Sequence, residues 1–83
     1  MNKLQHVFPA IFEYCDNSYT VTFPDFLGCI TEGNTIEEAL KMAKEALELH
    51  LYNIEDEKEK IPVPSKPANI KVNKHSFIRL IEV

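Results

Sequence analysis

Residues 35–54 carry the one long helical period of the chain. Ile36, Leu40, Ala43, Leu47, Leu51 and Ile54 recur on one face, with Ala39, Ala46 and His50 beside them. A single helix with one apolar face has no second helix to lie against, so it must bury that face on a sheet. The alanines allow a close approach. The start is marked by Thr35 and Glu38, a capping box in which hydroxyl and carboxylate satisfy amides that the first turn leaves open; Gly33 and Asn34 break the segment before it.

The remaining apolar residues alternate with a period of two. From Leu4 to Tyr14, Phe8, Ala10, Phe12 and Tyr14 fall on one side and Val7, Pro9 and Ile11 on the other, which predicts a long strand. Pro9 lacks an amide hydrogen, so the strand requires an edge, a bulge or a solvent-facing amide there. Cys15, Asp16, Asn17 and Ser18 supply turn chemistry, and Tyr19–Phe23 reads as a second strand of a hairpin. Pro24 and Asp25 end it, and after the turn at Gly28 a short third strand spans Cys29–Glu32. The charged run EDEKEK and the stretch IPVPSKP make residues 54–68 a solvated, proline-bearing connector. Phe77, Ile81 and Val83 alternate with Ile78 and Leu80, which predicts an interior final strand.

These elements predict a single α+β domain over residues 1–83. Its sheet is four-stranded and mixed: a three-stranded antiparallel meander, then a helix on one face, then a last strand that enters beside the first and parallel to it. The second face, around Pro9, Ile11 and part of the final strand, is left for association. A domain of 83 residues buries only somewhat more than roughly 60% of its unfolded surface, so a partner surface would add to a modest core.

Thirteen acidic against nine basic side chains give a formal charge of −4, which repels a phosphate backbone and favours a basic partner. Direct nucleic-acid binding by these residues is not expected. The apolar runs are too short to cross a bilayer. Asn2, Lys3, Gln5 and His6 interrupt any secretory leader, so the expected location is the cytoplasm. Cys15 and Cys29 lie outside metal or redox spacing and read as free thiols.

Catalytic chemistry has no visible home. Ser18, Ser65, Ser76 and the two cysteines sit in no nucleophile motif with His6, His50 or His75. Cys29 reads as core packing and His50 as a core or rim residue. Glu13, Asp16, Asp25, Glu37, Glu38 and Glu82 each have a turn, cap or strand-end position rather than the converging arrangement that metal-dependent cleavage needs. With two glycines there is no phosphate-binding loop. No catalytic residue, cofactor or metal is therefore expected. Met42 and Leu49 fall outside the docking stripe of the helix, where they form either a partner ridge or a margin of the core.

The ordered series FPAIFEY, YTVTFPD, GCITEGNTIEEAL and EALELHL, followed by the acidic connector, resembles the HicB family of antitoxins over Phe8–Leu51. The resemblance implies a curtailed RNase H-like sheet with one helix. It also implies a partner, a small basic HicA-type toxin that cleaves messenger RNA and whose active surface the antitoxin covers. Typical members continue into a DNA-binding module that recognises promoter DNA; that module is not among these residues, and promoter binding is expected only through it. The expected toxin contacts are Asp25, Phe26, Glu37, Glu38, Met42 and Glu45, with a homo-oligomer, dimer or tetramer, and no membrane association. The alternatives are a degenerate RNase H-like nuclease, which would cleave RNA with a metal, and an oligomerisation module of a transcriptional regulator.

Overall fold

The computed structural model describes residues 6–83, so the start of the first strand expected at Leu4 lies outside the described residues. The elements are β1 (Val7–Cys15), β2 (Ser18–Thr22), β3 (Ile30–Gly33), helix α1 (Ile36–Asp56), a 3-10 turn (Pro67–Asn69) and β4 (Ser76–Glu82). The sheet order is β3-β2-β1-β4, and every neighbouring pair is antiparallel.

Local chemistry fixes most boundaries. Asp16 and Asn17 both hold positive φ, 55° and 65°, between the paired residues Cys15 and Ser18. This is the two-residue hairpin whose twist matches its strands. At the head of α1 the Thr35 side chain accepts from the Glu38 amide at 3.0 Å, and Glu38 Oε1 accepts from the Asn34 amide at 2.7 Å. The helix closes on Lys58 at φ 59°, with the Glu59 amide donating to Ile54 and the Lys58 amide to Glu55. That pair of bonds is a Schellman motif. The helix therefore takes in Glu55 and Asp56, and the connector begins after them.

Pro9 costs the sheet nothing. The amides of His6 and Tyr14 donate toward the β4 side, so by alternation the odd positions of β1 face β2. The β1-β2 ladder runs from Cys15↔Ser18 to Ile11↔Thr22, and continuing its register would set Pro9 opposite Pro24. Neither proline carries an amide hydrogen, so the ladder stops there.

The core lies between α1 and one sheet face. Phe8, Ala10, Phe12, Val21, Phe23 and Ile81 meet Ala39, Ala43, Leu47 and Leu51, with Phe26 and Cys29 closing one end. Phe26 stands edge-on to Phe8 at 4.6 Å and Phe12 stacks on Phe77 at 5.3 Å. Gly33 permits the close seat of the helix: a Cβ there would lie 2.5 Å from the Ala39 nitrogen.

Two expectations about the last strand are corrected. β4 does lie beside β1, but antiparallel to it, and it is an edge strand, not an interior one. The reason is the path of the connector. α1 returns the chain to the end of the sheet where β2 finishes, and Ser65 is bound to Asp25 there. Residues 66–75 then travel back to the opposite end, where Ser76 pairs with Glu13. The chain thus makes two passes along the sheet, α1 and then residues 66–75, before β4 begins. The second face is also less bare than expected: Pro9 is fully buried and Ile11 and Ile78 are half-buried.

Candidate partner-binding surface

The six expected contact residues do not form one surface. Phe26 is a core residue, 4% exposed, held between Phe8 and the His50 ring, which stands 5.1 Å away. It is not available as a contact. Asp25 is half-buried and its carboxylate is occupied by the Ser65 amide and hydroxyl. Met42, which the sequence offered as either a partner ridge or a core margin, is half-buried. Glu37, Glu38 and Glu45 are exposed on α1, but Glu38 is committed to the cap. Along the helix Glu38 and His50 are about 18 Å apart, so the Asp25-Phe26 corner and the acidic helix start lie at opposite ends of the molecule.

The structure brings another group together. Where the β2-β3 connection meets the C-terminal half of α1, a depression of about 180 Å³ lies between Gly28, Cys29 and Ile30 on one side and Ala46, Leu49, His50 and Asn53 on the other. Of its lining, Leu49 is 63% exposed; Leu27, next to Gly28 in sequence, is 100% exposed, and Tyr52, on the outward face of α1, 65%. Gly28 at φ 81° makes the turn that leaves Leu27 at its tip. Inside the corner the Cys29 thiol donates to the Ala46 carbonyl at 3.9 Å, and burial raises its pKa above the ordinary thiol value. That thiol is a packing group, as its sequence context suggested.

Leu49 already stood out in the sequence as lying off the docking stripe. Leu27 and Tyr52 did not. The available signal was a leucine placed between a core phenylalanine and a turn glycine, which cannot share the phenylalanine's orientation.

Among the described residues no three His, Cys, Asp or Glu side chains converge to hold a metal ion. Among the same residues no helix is long and apolar enough to cross a membrane.

Residues 8–81 match the model of the family described as "HicB_like antitoxin of bacterial toxin-antitoxin system". The chain is 31% identical over 71 residues, 86% of its length and 53% of the relative's, to an uncharacterized 14.9 kDa protein in the rep-hol intergenic region of Haemophilus phage HP1. It is 38% identical over 58 residues to Antitoxin HicB 2 of Photorhabdus laumondii, covering 70% of this chain and 42% of that one. The chain thus spans about half the length of these relatives. Among solved structures, the toxin-antitoxin complex from Streptococcus pneumoniae superposes with TM-score 0.86 at 27% identity, over 95% of this chain and 69% of that one. The N-terminal domain of Burkholderia pseudomallei antitoxin HicB superposes with TM-score 0.78 over 94% of this chain and 98% of that one; at 24% identity it speaks to the fold alone.

Proposed function

The chain belongs to the HicB-like antitoxin family of bacterial toxin-antitoxin systems, and on that premise we propose that it neutralises a small basic, RNA-cleaving toxin of the HicA type by binding it and covering its active surface. The observation that carries this reading is the match of nearly the whole chain to a protein solved in a toxin-antitoxin complex. Charge supports it. With a formal net charge of −4, the chain attracts a cationic partner over distance and repels the RNA that the partner would otherwise bind.

In this reading the chain performs no turnover; its carboxylates occupy space where RNA phosphates would lie. Antitoxin action by obstruction requires a stable surface and no reactive group, which suits a corner whose thiol is buried and whose histidine packs on a phenylalanine. The test is co-expression with the cognate HicA-type toxin. Growth should be restored, the two chains should co-purify, and RNA cleavage by the purified toxin should stop when this chain is added in equimolar amount. Independent RNA cleavage by this chain, or failure to bind the toxin, would refute the reading.

A further inference from the structure

The outward face of α1 carries a stripe at positions 45, 49, 52 and 56: Glu45, Leu49, Tyr52 and Asp56, all four exposed. The spacing of four, three and four places them one above another on the helix. The order is acid, apolar, apolar, acid, and the outer carboxylates are about 16 Å apart along the axis. Leu49 also lines the adjoining depression, and Leu27, fully exposed, precedes Gly28 in the opposite wall, which sets a second exposed leucine on the β2-β3 corner beside the helix.

A second feature lies at the same end. The last turn of α1 holds no basic residue, while Glu55, Asp56 and Glu57 are exposed beside the negative pole of the helix dipole. Only Lys58 and Lys60, just beyond the last turn, supply the positive charge that stabilises that position, so the three carboxylates remain in local excess. Carboxylates held at a cost to helix stability indicate a use outside the folded chain.

Resting on the antitoxin reading above, we propose that the Leu27-Leu49-Tyr52 patch with its Glu45 and Asp56 rim is the docking surface for the cationic toxin, and that the acidic N-terminal turn of α1 is not. The partner surface that fits has an apolar centre flanked by lysine or arginine side chains at a matching separation. Apolar side chains at the centre supply most of the affinity, and the flanking charges set the approach and the register. A second copy of this chain fits poorly. A two-fold pairing of the stripe would bring Glu45 of each copy onto Asp56 of the other, acid against acid. RNA is disfavoured by the same carboxylates.

The test is calorimetric and kinetic titration of the whole chain with the purified cognate HicA-type toxin, using an inactivated toxin variant. Leu27→Asp and Leu49→Asp alter exposed positions, and an unchanged urea midpoint verifies folding. Each is expected to weaken toxin binding about thirtyfold or more, mainly through faster dissociation. The pair Glu45→Lys and Asp56→Lys should slow association several-fold and reduce its salt dependence, while Glu37→Lys at the other end of α1 leaves both unchanged. Binding of Leu27→Asp and Leu49→Asp at wild-type affinity overturns the proposal, as does a change in oligomeric state in place of toxin affinity. If the unaltered chain fails to bind toxin, the antitoxin reading itself falls and takes the surface with it.

Discussion

The Asp25 carboxylate receives two hydrogen bonds from Ser65, one from its main-chain amide at 2.9 Å and one from its hydroxyl, across a separation of 40 residues. This contact pins the proline-bearing connector to the β2-β3 corner, at the point where the chain turns back toward the start of β4. Asp25→Ala removes both acceptors and should cost about 2 kcal/mol; Ser65→Ala removes only the hydroxyl and should cost about 1 kcal/mol. Urea denaturation measures both. Equal losses would show that the amide contact contributes nothing.

The two glycines separate steric contact from backbone strain. Gly33→Ala places a methyl group against the main chain of Ala39, forcing α1 off the sheet, and should destabilise the fold by about 2–3 kcal/mol. Gly28 has nothing within 4 Å of a Cβ but holds φ 81°, so Gly28→Ala should cost about 1 kcal/mol. Thermal unfolding of the two variants should therefore rank Gly33→Ala well below Gly28→Ala.

Lys58 occupies the left-handed position that ends α1, where glycine avoids the steric penalty of a side chain. Lys58→Gly should stabilise the chain by about 0.5–1 kcal/mol, read as a higher urea midpoint. An unchanged or lower midpoint would mean that the Lys58 side chain makes a compensating contribution.

Thiol labelling should be biphasic. Cys15 is exposed and Cys29 is buried, so a disulfide reagent should modify one thiol per chain promptly and the second only on unfolding. Burial raises the Cys29 pKa, so the unfolded chain loses that proton at lower pH than the folded chain does. Stability contributed by the neutral buried thiol is present below the ordinary thiol pKa and declines as pH rises through it toward the folded value. Cys29→Ala should remove this alkaline decline.

Much of the architecture was legible because it is written in local chemistry. Asp16-Asn17 specified the hairpin, Thr35 and Glu38 the helix start, and the alternation of Phe8, Ala10 and Phe12 the buried face. The direction of β4 was not legible. Proline makes residues 61–67 extended but does not set where they travel, and a side-chain contact between Asp25 and Ser65 leaves no periodic trace. Ile78 and Leu80 suggested an interior strand, yet on the edge strand Ile78 is only half-covered and Leu80 is exposed. The proposed contact surface was the least legible part. Phe26 and Leu27 are adjacent in one turn, and only the tertiary packing of the Phe26 ring between Phe8 and His50 determines that the leucine, not the phenylalanine, faces outward.

The pairing of β1 with β4 also governs when the sheet can be completed during synthesis. β1 leaves the ribosome well before β4, and the amides of Phe8, Ala10 and Phe12 find their partners only in that later strand. Until Ser76–Glu82 emerge, the nascent chain carries an open edge on its central strand, accessible to chaperones, proteases or a neighbouring polypeptide.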